Sequence, residues 1–181
     1  MFGFRSKITI KVLRYFLLNQ ERSCYVNELA DILKVDPGNL FRKLKELENE
    51  GILVSEMQGN QRYLRLNKKY PLLRELKHFF RAKYGVEETL EQRLSGLKGL
   101  REAYIFGSYA KDSLQQESDI DLLLVGGHST LEAKRLILPL AKEIQREINI
   151  LDFSSSEFKK KKKSGDEFLK NIFSQKNIKI I

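Results

Sequence analysis

The chain has 181 residues, 41% of them hydrophobic and 31% charged, with a formal net charge of +9. That length allows one large domain or two small ones, and no apolar run approaches the roughly 20 residues of a membrane span. The single cysteine, Cys24, rules out an internal disulfide and a cysteine metal cluster, which places the chain in the cytoplasm as an expectation. The positive balance permits an anionic partner without choosing among nucleic acid, nucleotide and acidic protein.

The N-terminal stretch is basic and apolar, but Lys11 and Arg14 interrupt it and no small-residue cleavage site follows. It reads as a first amphipathic helix over 6–19, with Ile8, Val12, Leu13, Phe16 and Leu17 at helical spacing. A loop from Gln20 to Cys24 precedes a second helix over 26–33, with Val26, Leu29, Ala30 and Leu33 on one face. Asp36 is placed to cap the next helix and Pro37 fits its first turn. That helix, to about Glu50, buries Leu40, Leu44 and Leu47, and Gly51 ends it. Two short strands over 52–56 and 62–66 flank a Gln58–Gly59–Asn60–Gln61 turn.

Residues 71–94 read as one or two helices with an apolar stripe of Leu72, Leu73, Leu76, Phe79 and Phe80, broken near Gly85. A loop over 95–99 leads to a strand over 102–106, a Gly107–Ser108 turn, and a short helix within 108–114. A second strand runs over 120–125, and His128 in the loop behind it is expected to be solvated. Ser129 with Glu132, and Ser154 with Glu157, are candidate capping boxes that open two later helices. Between those helices lies a third strand, 147–153. Phe168, Leu169, Ile172 and Phe173 form the apolar side of a last helix, and a terminal strand is expected over 177–181. The Lys159–Lys163 run reads as a solvated face.

The chemistry concentrates between Tyr104 and Val125. Asp119 and Asp121 lie two apart in an apolar strand, so their side chains share a face about 6.5 Å apart along the backbone. Like charges that close raise each other's pKa unless a cation intervenes, and Mg²⁺ favours one or two carboxylates plus phosphate oxygens. Gly107 and Ser108 upstream offer backbone N–H groups and a hydroxyl to phosphate.

The order helix, helix, turn, helix, two-stranded wing over 6–67 resembles a winged helix-turn-helix DNA-binding domain of small transcriptional regulators. The resemblance implies that Asn39, Arg42 and Lys43 on the recognition helix face bases or phosphates of double-stranded DNA. It puts Gln61 and Arg62 on the wing. The second part, Phe106–Gly107–Ser108, a ten-residue spacer and Asp119–Ile120–Asp121, resembles the minimal nucleotidyltransferases of the DNA polymerase beta-like superfamily, antitoxin members included.

That resemblance implies Asp119 and Asp121 as catalytic ligands of Mg²⁺, with Gly107 and Ser108 binding the triphosphate of ATP or another nucleoside triphosphate. It also implies a partner protein of the toxin type; a homodimer is a further expectation. Two residues depart from the family pattern. Asp112 stands where a glycine is common. Asn149 stands where active members carry a third carboxylate, with Asp152 nearby but on the opposite face by strand alternation.

The expected architecture is therefore a two-domain α+β / α/β chain. It has a winged helix-turn-helix over 1–69, a helical connector over 70–99, and a nucleotidyltransferase-like mixed sheet flanked by helices over 100–181. The expected function is transfer of a nucleotidyl group, AMP foremost, to a protein or small-molecule hydroxyl. The alternative is a transcriptional regulator whose transferase domain is catalytically degenerate and serves as a nucleotide sensor or partner-binding module.

Overall fold

The structure, a computed structural model, describes residues 6–115 and 118–181. Residues 1–5, ahead of the expected first helix over 6–19, and two residues of the spacer before Asp119 lie outside the described residues. The chain forms two compact units. One runs up to Gly85 and includes Glu143–Gln145, and the other comprises Val86–Lys142 and Arg146–Ile181.

The first unit begins with α1 (Lys7–Leu18), capped by the Ser6 hydroxyl, which accepts from Thr9 N at 3.3 Å. Next come α2 (Val26–Leu33) and α3 (Pro37–Asn49). The Asp36 carboxylate accepts from Asn39 N at 2.8 Å and Pro37 opens the helix, as the turn chemistry dictates. Gly51 takes φ 75° one residue past the C-cap Glu50, and the Ile52 N–H reaches back to the Leu47 carbonyl. Val12, Leu13, Phe16, Leu29, Leu33, Leu40 and Leu44 interlock in one core.

The wing differs from expectation in one respect. The stretch expected as a loop between the first two helices contains a strand, β1 (Ser23–Tyr25), which joins β2 (Leu53–Gln58) and β3 (Gln61–Leu66) in the order β1-β3-β2. Three residues are too few for periodicity to register; tertiary pairing makes this strand. Cys24 is buried opposite Leu64, and the Tyr25 and Tyr63 rings meet edge-on at 5.7 Å. The β2–β3 hairpin closes through Gly59 and Asn60, with positive φ at Gly59.

The segment expected as a connector is divided between the units. In the first, α4 (Leu73–Tyr84) buries Leu76 and Phe80 in the core just described, and Gly85 ends it. In the second, α5 (Val86–Leu94) buries Val86, Leu90 and Leu94. Leu72 and Phe79 do not join the buried stripe; they are 52% and 44% exposed.

The second unit is a four-stranded sheet in the order β6-β5-β4-β7, built from β4 (Leu100–Phe106), β5 (Ile120–Gly126), β6 (Ile148–Phe153) and β7 (Ile178–Lys179). The β4 strand is antiparallel to both neighbours, while β5 and β6 are parallel and joined through α7 (Thr130–Ile144), as a parallel pair requires. One sheet face carries Tyr104, Phe106, Leu123, Val125, Leu151 and Phe153. It packs on Phe158 of α8 (Ser155–Ser164) and on Leu169 and Ile172 of α9 (Glu167–Ser174). Ala103, Ile105, Ile120, Leu122 and Leu124 alternate onto the other face and are fully buried. Ser154 and Glu157 complete a capping box at the start of α8.

Among the described residues, no helix is long and apolar enough to cross a membrane.

Candidate active site

Strand β4 delivers the chain to a sharp turn at Gly107, which begins the one-turn helix α6 (Gly107–Ala110). Phe106 pairs with Asp121 across the β4–β5 ladder. This register brings the turn and the second carboxylate together although 14 residues separate them in sequence. Gly107 sits at φ 70°, and a Cβ there would lie 2.1 Å from Asp121 Oδ2. Only glycine allows that approach. The Asp121 carboxylate therefore packs directly on the turn expected to hold phosphate.

Asp119 precedes β5 and Asp121 lies within it. Parallel pairing sets Asn149 of β6 opposite Asp121, and the Asn149 Nδ2 donates to Asp119 Oδ2 at 3.0 Å. Burial, then the neighbouring Asp119 charge, push Asp121 above the ordinary carboxylate range; a hydrogen bond from Asn149 opposes them in part. Two crowded carboxylates of this kind fit a divalent cation, whose charge would relieve the repulsion. Among the described residues no group of three or more His, Cys, Asp and Glu side chains clusters as a metal site. The third position is the neutral Asn149.

Asp152 does not reach this site. It lies on the opposite sheet face, paired with Leu124. Its Oδ2 accepts from Thr130 Oγ1 at 2.5 Å and its Oδ1 lies 3.3 Å from His128 Nε2. His128 is not solvated as expected: its side chain is fully buried. The loop carrying it is drawn in by a backbone contact that only glycine permits, a Cβ on Gly99 falling 2.9 Å from the Gly127 carbonyl carbon and 3.1 Å from His128 N. The Asp152 carboxylate thus faces that histidine and the first turn of α7.

Two further residues shape the site. Asp112 adopts φ 61°, a left-handed conformation natural to glycine and tolerated by aspartate, so this departure from the family pattern keeps the turn. The guanidinium of Arg146, only 8% exposed, donates to the Ser118 carbonyl and pins the backbone one residue before Asp119. Arg146 carried no local signal in the sequence, because its partner is a carbonyl 28 residues away.

The expected DNA-facing residues all belong to the first unit, Asn39, Arg42 and Lys43 on α3 and Gln61 and Arg62 on β3. Asn39 and Arg42 are exposed on α3, and the Arg42 guanidinium donates to Asn39 Oδ1. Lys43 bonds Glu46 at 2.8 Å. With Ile8 these side chains line a groove of about 240 Å³. Gln61 is exposed at the wing tip. Arg62 is engaged: it donates to both Glu48 carboxylate oxygens at 2.8 and 2.7 Å and to Ser55 Oγ at 2.9 Å, tying the wing to α3.

Residues 88–179 match the polymerase beta nucleotidyltransferase family. The chain belongs to that family. Residues 11–55 match the arsR family of bacterial regulatory proteins, so the nucleotidyltransferase unit follows a helix-turn-helix regulator domain. A Methanocaldococcus jannaschii protein named for protein adenylyltransferase activity is 37% identical over 59 residues. The match covers 32% of this chain and 63% of that relative, less than two thirds of its length.

Solved structures give more distant likenesses. A toxin–antitoxin complex with AMP-PNP is 18% identical with a TM-score of 0.38, over 53% of this chain and 73% of that one. A Sulfolobus solfataricus protein assigned as a nucleotidyltransferase is 24% identical with a TM-score of 0.28, over 41% of this chain and 68% of that one.

Proposed function

We propose that the nucleotidyltransferase unit binds a nucleoside triphosphate with Mg²⁺ and transfers its nucleotidyl group, AMP foremost, to a hydroxyl of a protein or small molecule: the hydroxyl oxygen bonds the α-phosphorus and loses its proton, the bond to the β-phosphate breaks, and pyrophosphate leaves. The observation that carries this reading is the contact of Asp121 with Gly107. It joins a carboxylate pair that suits a divalent cation to a turn that offers N–H groups to phosphate. Asp119 and Asp121 would hold the metal, and Gly107 and Ser108 the phosphates. The cation would supply neutralisation of the charge that develops on the transferring group. The chain's own contribution is placement: Arg146 fixes the approach to Asp119, and Asn149 orients the Asp119 carboxylate.

The helix-turn-helix domain targets this chemistry to double-stranded DNA, with Asn39, Arg42 and Lys43 facing the major groove and Gln61 and Arg62 on the wing. A toxin-like partner protein is the acceptor that the family resemblance suggests. The deciding experiment incubates the full chain and Mg²⁺ with each of the four nucleoside triphosphates labelled on the α-phosphate, with and without a copurified partner. Label should pass to an acceptor and be lost in Asp119→Ala. No labelled product with any nucleotide would sink the transferase reading.

A second reading is favoured by one contact. Asn149 is neutral and gives its N–H to Asp119, so it supplies no third negative oxygen and cannot take a proton from an acceptor. On this reading the unit binds nucleotide as a sensor, and the DNA-binding domain reports the bound state. Nucleotide binding without transfer, accompanied by a change in DNA affinity, would select it.

A further inference from the structure

The apolar cluster beneath the candidate site leaves one large aromatic outside. Phe168, in the first turn of α9, is 50% exposed, whereas Leu169 and Ile172 of the same helix are buried against the sheet. Its ring is not loose on the surface. It stands edge-to-face with Phe106, centroids 6.3 Å apart and planes at 89°. Phe106 is the residue immediately before Gly107 and the one paired with Asp121. Residues directly opposite in an antiparallel ladder share a face, so Phe106 and Asp121 project to the same side of the sheet. Phe168 is therefore one ring away from the turn that ends at Ser108 and on the same side as the carboxylate pair.

We propose that Phe168 is the platform on which the nucleobase of the bound nucleoside triphosphate stacks. The inference rests on the nucleotide-binding reading of the site and deepens it by naming how the base is held. An exposed aromatic costs the free protein apolar contact with water, and a planar base laid on it would remove that contact. The edge-to-face partner holds the ring in one orientation, so little freedom is lost when a base arrives. Stacking on a ring reads the size of the base rather than its hydrogen-bonding edge. The expected substrate class is thus purine nucleoside triphosphates, with ATP and GTP ahead of CTP and UTP by about threefold or more.

The test separates the base from the phosphates. Magnesium complexes of ATP and of inorganic tripolyphosphate are titrated calorimetrically into the full chain. Phe168→Ala should weaken ATP binding by about tenfold or more, while tripolyphosphate binding stays within about twofold. Phe168→Tyr, which keeps the ring, should bind ATP like the parent.

The chain contains no tryptophan, so Phe168→Trp introduces a single indole at the platform, excited at the red edge where the seven tyrosines do not absorb. Its emission should respond to ATP and not to tripolyphosphate. Unchanged ATP affinity in Phe168→Ala, or equal response of Phe168→Trp to both ligands, overturns the platform while leaving the phosphate and metal site standing. If the parent binds neither ligand, the nucleotide reading itself falls and the platform falls with it.

Discussion

Asn149 donates from Nδ2 to Asp119 Oδ2 at 3.0 Å, and the same residue faces Asp121 across the parallel β5–β6 ladder. One neutral amide therefore touches both carboxylates of the candidate metal site, at the position where a third acid would stand. It eases the repulsion of the metal-free site but adds no charge for a cation.

This makes Asn149→Asp the most informative substitution. A third carboxylate should tighten Mg²⁺ binding by about tenfold or more, because affinity follows the charge of the ligand set. It should also raise the rate of any nucleotidyl transfer. The metal-free protein should lose about 1–2 kcal/mol of stability, as one more like charge joins two already crowded. Calorimetric metal titration and melting with and without Mg²⁺ check both. Unchanged metal binding in the variant would place residue 149 outside the ion's ligand set.

The raised Asp121 pKa gives a pH dependence with a definite sign. Burial and the Asp119 charge disfavour the ionised form in the folded state. The stability this group contributes is present below its unfolded pKa and is lost as pH rises through the higher folded value. Asp121→Asn should therefore stabilise the metal-free protein at neutral pH, by a few tenths to about 1 kcal/mol after discounting for solvent screening. The gain should vanish at about pH 3. Mg²⁺ should stabilise the parent more at pH 7 than in acid and should do little for the variant. Thermal melts across pH with and without the ion measure this.

Gly107 has a separate role from the carboxylates. Its φ of 70° and the 2.1 Å clash that a Cβ would make with Asp121 Oδ2 mean that Gly107→Ala must displace the carboxylate or the turn. Either displacement is near 1 Å, enough to reduce a positioned reaction by about 100-fold. Nucleotide and metal affinities should fall together, while the circular dichroism of the sheet remains. Retained binding in Gly107→Ala would separate Asp121 from the phosphate turn.

On the first unit, Arg42 donates once to Asn39 and Lys43 donates to both oxygens of Glu46, each on its own helix, whereas Arg62 makes three bonds to Glu48 and Ser55 that tie it across to α3 and β2. Arg42→Ala and Lys43→Ala should each weaken DNA binding and reduce its salt slope by about 1. Glu48→Ala should release Arg62 toward phosphate and strengthen binding. It should cost the fold no more than about 1 kcal/mol, since the Arg62–Glu48 pair is partly exposed. Fluorescence anisotropy with a promoter fragment over a salt series distinguishes these arms. Weaker binding in Glu48→Ala would mean that the pair positions the wing rather than competing with DNA.

Much of this protein could be read without coordinates because its signals are local. The Asp36–Pro37 start of α3, the Gly51 end, the Gly59–Asn60 turn and the Ser154–Glu157 capping box depend on neighbours within a few residues. The Gly107–Ser108 and Asp119–Ile120–Asp121 elements declared themselves by residue type and spacing in the same way. What remained hidden depends on distant partners. Strand β1 exists because β3 pairs with it; His128 is buried because Gly99 lets the Gly127 backbone approach. Asp152 is occupied by Thr130 and His128, while Arg146 and Asn149 reach backbone and side chains around Asp119 across the β5–β6 connection.

By itself, then, the sequence determined the elements other than β1 and which side chains are chemically equipped, since capping, turn geometry and hydrophobic period act over one or two turns of chain. Only the tertiary structure decided which equipped side chains meet. Strand register and close glycine contacts settle that, and they join the Gly107 turn to Asp121 and Asn149 to Asp119 while leaving Asp152 on the far face.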